Sequence, residues 1–200
     1  MREPFAEFIM ATLEPKTLLI TCGLPGTWKT ETAEEISKIK GYQILRTDLI
    51  RLEVLKNEDI FDEKVASNMG KRELVYDETF RRAEELLKKG QGAILDATFV
   101  TQELRRRAAA IAAKYKMTFA ILQTHCSEEV SLARILRRTK EDYQSNALTK
   151  EAYLNNKKKF ETVDLDDLKK GNPELQILHL TVDTEHDPPE DWYIISMEKR

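Results

Sequence analysis

The feature that most constrains this 200-residue chain is a short glycine-containing loop between two regular segments. Residues 17–22 form an uncharged apolar run, which is typical of a buried strand in a parallel sheet. The loop that follows begins at Gly23 and closes with Lys29 and Thr30. Residues 32–40 then place their apolar side chains on one helical face. A strand, a tight loop and a helix in that order predict the start of an α/β fold.

The rest of the chain continues this alternation of strands and helices. Strands are expected at 17–22, 42–47, 93–96, 117–125 and 174–182. Helices are expected at 2–14, 32–40, 49–55, 72–89, 102–116, 128–138 and 149–163. Strands that alternate with long helices predict an α/β fold with a parallel sheet. No repeat or linker divides the chain, so one domain over 1–200 is expected, and the acidic, proline-containing residues 183–190 predict a loop before a short tail.

The composition limits the class of protein and the cellular compartment that the chain fits. A net charge of −3 argues against a strongly basic nucleic-acid-binding tail. Two cysteines, Cys22 and Cys126, are too few for a disulfide framework and fit a reducing compartment. Glu3 and Glu7 interrupt any secretory signal, and the longest uncharged run, 17–28, is too short to span a bilayer. A cytoplasmic protein without a membrane segment is therefore expected.

The loop itself follows the phosphate-binding pattern G-x-x-x-x-G-K-[ST], the P-loop, with one departure. Loop amides and the following helix N-terminus form an anion cradle, and glycine lets the backbone approach a phosphate closely. Lys29 is expected to reach the β- and γ-phosphates, and Thr30 to offer its hydroxyl to Mg²⁺. The residues expected to bind the nucleotide are Gly23, Pro25, Gly26, Thr27, Trp28, Lys29 and Thr30.

The departure is Trp28, which stands where the pattern has glycine. If this position needs a left-handed backbone, a bulky residue there costs about 1–2 kcal/mol. A strained but functional loop, a degraded site and a plain turn between strand and helix are the three alternatives. The indole is expected to pack outward on the loop rather than contact the nucleotide.

Three pieces of sequence, in this order, resemble a known group of enzymes. They are Gly-Leu-Pro-Gly-Thr-Trp-Lys-Thr at 23–30, Arg-Thr-Asp-Leu-Ile-Arg at 46–51 and Ile-Leu-Asp-Ala-Thr at 94–98. With an arginine helix at 134–138 and Ser-Asn-Ala at 145–147, where Asn146 replaces the usual aspartate, they resemble the P-loop predicted-kinase family. That family is similar to the kinase domain of phage polynucleotide kinase and, more distantly, to zeta toxins and gluconate or shikimate kinases.

The resemblance covers about residues 16–163. It implies a three-layer α/β/α P-loop NTPase fold with a five-stranded parallel sheet and a small helical lid, here at about 139–162. It also implies ATP and Mg²⁺ as cofactors and the phosphorylation of a hydroxyl group.

Asp48 and Arg51 are candidates for acceptor chemistry. The resemblance gives Asp48 the role of general base, and its expected place at the end of a strand suits ligand binding. An N-cap of the helix 49–55 is the alternative for Asp48. Arg51 is expected to hold an anionic group of the acceptor, with a plain surface arginine as the alternative.

Asp96 ends the strand 93–96, where a carboxylate can orient Mg²⁺ directly or through water. The alternative to a metal role is that Asp96 caps the loop at Thr98. The resemblance places both Asp96 and Thr98 near the acceptor pocket.

Arg134 and Arg138 are four residues apart and share a helical face. A lid arginine stabilises the charge that spreads over the transferred phosphoryl group, so both are catalytic candidates. A solvated basic face is the alternative, and it is also what is expected for the basic runs 105–107 and 157–159.

These features predict an ATP-dependent phosphotransferase that acts on a small-molecule hydroxyl. A polynucleotide 5′-hydroxyl kinase is the first alternative, and in it the runs 105–107 and 157–159 would contact phosphates. The second alternative is a non-catalytic nucleotide-binding protein, in which the departures at Trp28 and Asn146 reflect a lost activity. An NTPase that uses water is the third, although no apolar run followed by Asp-Glu supports it. The sequence leaves open the acceptor, ATP against GTP, and the oligomeric state.

Overall fold

The structure is a computed structural model that describes residues 1–60, 65, 68–137 and 149–200. Its strands are β1 (Glu3–Pro4), β2 (Thr17–Cys22), β3 (Gln43–Arg46), β4 (Ala93–Asp96), β5 (Thr118–His125), β6 (Ile177–Asp183) and β7 (Tyr193–Lys199). Its helices are α1 (Phe5–Thr12), α2 (Lys29–Lys40), α3 (Thr47–Val54), α4 (Met69–Lys88), α5 (Gln102–Lys114), α6 (Glu128–Leu136), α7 (Lys150–Lys159) and α8 (Leu165–Gly171), with a 3₁₀ turn at Pro189–Asp191.

One sheet carries all of these strands, in the order β1-β7-β6-β5-β2-β4-β3. The five predicted strands, β2 to β6, pair in parallel. The prediction of five strands was nevertheless wrong, because the sheet has seven. The expected tail forms β7, which pairs antiparallel with β6, and β1 pairs antiparallel with β7. In residues 193–199 a run of only three apolar residues, Tyr-Ile-Ile, is followed by mostly polar and charged ones, which is a weak strand signal.

The sheet is the middle layer of three because its strands alternate side chains between two buried faces. Leu18 and Ile20 of β2 pack on one face with α4, α5 and α8. Leu19 points to the other face, where α1 and α2 cover the sheet through Phe5, Ile9, Ala33 and Ile36. Residues that precede β2 therefore complete the second layer, a role that their sequence alone did not reveal.

Several boundaries differ from those expected. Helix α2 begins at Lys29 and α3 at Thr47, both earlier than their apolar periodicity indicated. Helix α8 was not expected. Residues 139–148 of the expected lid, which include Asn146, lie outside the described residues, as does Arg138, and α7 forms most of the rest of the lid. In the described part of the chain, no helix combines the length and apolar character that crossing a membrane requires.

Arg105 was expected on a solvated face, and that expectation was wrong. Its side chain is fully buried, and its guanidinium donates to backbone carbonyls of the loop after β4 and of the segment before α8. These acceptors are Phe99, Val100, Glu161 and Thr162. The helical spacing of three arginines in a row places one of them on the inner face, which composition alone cannot show.

Arg105→Met is expected to lower the free energy of unfolding by about 3 kcal/mol or more, because it removes the hydrogen bonds that a fully buried guanidinium donates to four carbonyls. Arg106→Met is the matched control. Arg106 is half exposed and pairs with Asp167 and Glu103, so its loss is expected to cost less than about 1 kcal/mol. Urea unfolding of both variants checks this difference, and equal losses would contradict it.

Candidate nucleotide and acceptor site

The candidate site lies at one edge of the sheet, where three neighbouring parallel strands end. Strand β2 pairs with β4, and β4 pairs with β3. The P-loop after β2, the loop after β4 and the start of α3 therefore meet at the carboxyl ends of these strands, where open α/β sheets bind ligands. The hydroxyl of Thr47 donates to the carbonyl of Asp96 at 3.0 Å, which fastens α3 to the end of β4.

Two glycines of the P-loop have positive φ angles that favour glycine. Gly23 has φ 141° and Gly26 has φ 81°. A Cβ atom on Gly26 would lie 2.5 Å from the carbonyl oxygen of Ser131, and one on Gly23 would lie 2.7 Å from Thr124 Oγ1. Both positions therefore require glycine for backbone conformation and for space.

The loop is held by hydrogen bonds to its own carbonyls. Lys29 Nζ donates to the carbonyl of Leu24 at 2.7 Å, so the lysine curls over the loop. Thr27 Oγ1 donates to the same carbonyl at 2.8 Å and lies 2.6 Å from Thr124 Oγ1. Pro25 is buried within the loop. The lysine thus already lies over the loop that is expected to hold the phosphates.

Thr30 and Asp96 lie together at the start of α2. Thr30 Oγ1 donates to Asp96 Oδ2 at 2.6 Å, and Thr21 Oγ1 donates to Asp96 Oδ1 at 3.1 Å. Asp96 is only 6% exposed, so these bonds fix its carboxylate. A hydroxyl and a carboxylate are hard oxygen donors of the kind that Mg²⁺ prefers, and their side chains fit the metal role expected for both residues.

Trp28 adopts the left-handed conformation, with φ 58° and ψ 38°, directly before α2. The position therefore does need the backbone that glycine adopts most easily. Two contacts support the indole: Arg134 stacks 4.6 Å from the ring centroid, and Trp28 Nε1 donates to Asp187 Oδ1 at 3.2 Å. The ring also packs against the core on the α2 side of the sheet.

A pair of variants separates the backbone strain at Trp28 from its contacts. Trp28→Ala and Trp28→Gly lose the same ring contacts, but only glycine also relieves the left-handed strain. We therefore expect Trp28→Gly to be more stable than Trp28→Ala by about 1 kcal/mol, with both less stable than the wild type. Urea unfolding of the three proteins measures this order, and equal stability of the two variants would show that no strain is stored there.

Arg134 contacts the P-loop from α6, and its side chain is only 4% exposed. Its guanidinium donates to the carbonyl of Gly26 at 3.3 Å, to Asp187 Oδ1 at 2.8 Å and to the carbonyl of Thr184 at 2.8 Å. Although burial alone raises it, the pKa of Asp187 is lowered because Arg134 and Trp28 donate to its carboxylate. In this arrangement Arg134 ties the P-loop to the segment after β6.

An open pocket of about 390 Å³ lies beside this cluster. It runs between α6 and the segment that follows β6, and Val130, Ala133, Arg134, Arg137, His186 and Pro188 contribute to its walls. Charged and polar side chains form most of its walls, with Glu185, Asp187 and Asp191 on the acidic side, and Val130, Ala133 and Pro188 form the apolar part.

Asp48 lies in the first turn of α3. The N-cap alternative for Asp48 was wrong, because Arg46 occupies the N-cap position of this helix. Burial raises the pKa of Asp48 to about 6, with the charge of Asp96 adding to the rise and Arg51, Arg46 and Lys29 opposing it. A carboxyl group with this pKa is a stronger base than an ordinary aspartate and is still mostly ionised at pH 7.

Thr98 connects the loop after β4 to the P-loop. Its carbonyl accepts a hydrogen bond from the amide of Gly23 at 3.3 Å. Burial raises the pKa of the nearby Tyr76 hydroxyl, while the charge of Arg72 and the side chain of Thr98 oppose that rise. The sequence analysis did not single out Tyr76, because an aromatic residue in a helix does not distinguish a core position from a site position.

Arg46 is a candidate site residue that the sequence analysis missed. It precedes Asp48 by two residues, and its Nε lies 3.9 Å from Asp96 Oδ2. The resemblance used the run Arg46-Thr47-Asp48 without giving Arg46 a role. The only sequence signal for such a role was a cationic residue at the carboxyl end of a strand. The structure brings Lys29, Asp48, Asp96 and Arg46 into one charged group.

Comparison with known proteins agrees with this geometry. A family model described as an AAA domain matches residues 18–163, and the chain belongs to that family. The resemblance to P-loop kinases is thereby confirmed, together with the three-layer fold. A search of curated protein sequences found no significant match.

Three solved structures with the same fold are a gluconokinase, a putative kinase and a protein in complex with ADP-AlF3. A gluconokinase from Sinorhizobium meliloti has a TM-score of 0.60 at 16% identity, over 88% of this chain and 87% of its own. A putative kinase from Chloroflexus aurantiacus has a TM-score of 0.59 at 18% identity, over 86% and 90%. Kti12 from Chaetomium thermophilum, solved in complex with ADP-AlF3, has a TM-score of 0.57 at 17% identity, over 80% and 87%.

Proposed function

We propose that this protein is an ATP-dependent phosphotransferase that moves the γ-phosphoryl group of ATP to a hydroxyl group of a small molecule. The observation that carries this proposal is the position of Asp48. A carboxyl group with a pKa of about 6 lies at the same sheet edge as Lys29 and the Thr30–Asp96 pair. Such a group is suited to accept a proton from a hydroxyl beside bound phosphates.

In the proposed reaction, the P-loop amides and Lys29 bind the β- and γ-phosphates, and the acceptor hydroxyl faces Asp48. The hydroxyl oxygen forms a bond to the γ-phosphorus while the bond to the β–γ bridging oxygen breaks. Asp48 takes the hydroxyl proton, and ADP leaves with the bridging oxygen. Thr30 and Asp96 would hold Mg²⁺, which supplies positive charge against the phosphates when bound.

The two lid arginine candidates receive different proposed roles. Arg138 remains the candidate for contact with the transferred phosphoryl group. Arg134 would reach that group only by leaving Gly26 and Asp187, so we propose that in the present arrangement it positions the P-loop. The pocket beside Arg134 is the proposed place for the base of the nucleotide.

The geometry favours the small-molecule acceptor over a polynucleotide. The polynucleotide alternative used the basic runs 105–107 and 157–159 as phosphate contacts. Arg105 is buried, Arg106 and Arg107 pair with Asp167 and Asp77, and Lys157 pairs with Glu128. Since these cations are engaged within the protein, they offer a weaker surface for a nucleic acid.

A coupled assay of ADP release tests the proposal. Mg·ATP is supplied with and without hydroxyl compounds, including sugars and sugar acids because two structural neighbours are a gluconokinase and a sugar kinase. ADP release that rises with one acceptor and is lost in Lys29→Met is the expected result. Release at the same rate with every acceptor and with none would instead favour an NTPase. Binding of Mg·ATP without any ADP release would favour the non-catalytic alternative.

A further inference from the structure

The segment that follows β6, residues 184–187, is held by hydrogen bonds although it has no regular secondary structure. Thr184 Oγ1 donates to the carbonyl of Thr27 in the P-loop at 3.0 Å. The carboxylate of Glu185 accepts from the amide and the hydroxyl of Ser127, at 2.7 and 2.8 Å. The last three residues of the segment line the open pocket beside α6. Since surface segments of this kind are ordinarily mobile, these bonds indicate a pocket wall whose position is fixed.

Asp187, the last residue of this segment, is oriented by Trp28 and Arg134. Trp28 Nε1 donates to Asp187 Oδ1 at 3.2 Å, and Arg134 Nε and Nη2 donate to the same oxygen at 3.0 and 2.8 Å. The guanidinium stacks on the indole, 4.6 Å from the ring centroid. The other carboxylate oxygen, Oδ2, lies 4.0 Å from Arg137 Nη1, which is too long for a hydrogen bond. Asp187 Oδ2 can therefore accept a hydrogen bond from a ligand in the pocket.

The backbone at Trp28 is strained for a tryptophan. Its left-handed conformation, φ 58° and ψ 38°, is one that glycine adopts without a steric penalty. Residues in such conformations persist where the surrounding structure holds them, and they cluster at functional sites. Glycine would give the P-loop the same backbone, but it has no side chain to reach Asp187 or to cover Arg134. Besides packing on the core, tryptophan therefore adds a link from the P-loop to the pocket wall.

We infer that Trp28 is a positioning residue for nucleotide binding, whose indole holds Asp187 and Arg134 so that the base pocket keeps its place relative to the phosphates on the P-loop. The inference rests on the proposed function for the identity of the pocket. The indole acts through these two side chains and requires no contact of its own with the nucleotide. It follows that the usual glycine at this position would weaken the binding of a nucleotide but not the binding of phosphates alone.

Calorimetric titration with two matched ligands tests this consequence. Mg·ATP carries three phosphates and a base, and inorganic Mg·tripolyphosphate carries three phosphates without one. In Trp28→Gly we expect the Kd of Mg·ATP to rise at least about tenfold, while the Kd of Mg·tripolyphosphate stays within about twofold of the wild-type value. Trp28→Phe keeps a ring over Arg134 but lacks the N–H group that Asp187 accepts, so its Kd for Mg·ATP is expected to lie between the other two.

Ile39→Ala separates positioning from a general loss of stability. Ile39 lies on the same helix as the end of the P-loop, and it packs on the same core cluster as Trp28. Its truncation is expected to lower the free energy of unfolding without changing either Kd, and urea unfolding of all the variants gives the conditions under which each is folded. A loss of ATP affinity in Ile39→Ala as large as that in Trp28→Gly would overturn the inference. If Trp28→Gly does not fold, Trp28→Phe decides, and a wild-type ratio of the two Kd values in it would overturn the inference.

Failure of the proposed function gives a different result from failure of this inference. If the wild type binds neither ligand, the kinase assignment fails and the positioning role fails with it. If the wild type binds both ligands and the ratio of the two Kd values is the same in every variant, the positioning role alone is overturned. Binding of Mg·ATP no tighter than that of Mg·tripolyphosphate by the wild type would also overturn it, while phosphate binding by the P-loop would stand.

Discussion

Asp48→Asn is expected to lower kcat for the acceptor-dependent reaction by about 10²- to 10⁴-fold, the range that a general base contributes. Asparagine keeps the size of the side chain but takes no proton from the acceptor hydroxyl. Glu53→Gln is the control, because Glu53 is exposed on the same helix and pairs with Arg82. Steady-state kinetics of the two variants with one acceptor measures the effect, and an unchanged kcat in Asp48→Asn would remove Asp48 from the mechanism.

The same residue predicts a pH dependence with a definite sign. The base must be ionised to act, and the pKa of Asp48 is raised to about 6. Below that pH, kcat/KM of the wild type is therefore expected to fall about tenfold for each pH unit. A profile that stays flat between pH 5 and 7 would contradict the assignment.

Asp48→Asn is also expected to make the free protein more stable at neutral pH. The folded pKa of about 6 lies above the ordinary value of 3.8, so ionised Asp48 destabilises the fold at pH 7. The difference corresponds to at most about 3 kcal/mol, and it disappears as the pH falls below about 4, where the carboxyl group is protonated in both states. Loss of activity together with a gain in stability is the signature of a functional group rather than a structural one.

Lys29→Met has the second large expected effect, a fall in kcat/KM for ATP of about 10³-fold. The lysine is expected to exchange its bond to the carbonyl of Leu24 for phosphate oxygens, so its loss removes positive charge where negative charge develops. Lys38→Met is the matched control on the same helix, because Lys38 is exposed and pairs with Glu35. Kinetics at varied ATP concentration measures both variants, and equal values for the two lysine variants would contradict the P-loop assignment.

The part of the fold that carries the site was predictable because it repeats one strong local pattern. Most of the five parallel strands contain a short apolar run, and amphipathic helices separate most of them. The two antiparallel strands were not predictable in the same way. Glu3–Pro4 is two residues long, and Tyr193–Lys199 lies near the edge of the sheet with mixed polarity, so neither shows the apolar run of a central strand.

The site was predictable where chemistry is carried by a motif and was missed where it is carried by packing. Lys29, Thr30 and Asp96 follow from the P-loop and from the end of a buried strand. The position of Arg46 beside Asp96 follows only from the pairing of β3 with β4, and the burial of Arg105 only from the loops that close over it. Long-range contacts of this kind have no sequence periodicity, so they cannot be predicted from the pattern of residues.

The most direct test of the central claim is calorimetric titration of Mg·ATP into the wild type and into Lys29→Met, with tryptophan fluorescence followed on the same samples. The account predicts micromolar binding by the wild type and a Kd at least about 100-fold higher in the variant. That result would show that the P-loop binds nucleotide with tryptophan at the position of its usual glycine. No binding by the wild type at millimolar ATP would contradict the account, and the fold would then serve a purpose other than phosphoryl transfer.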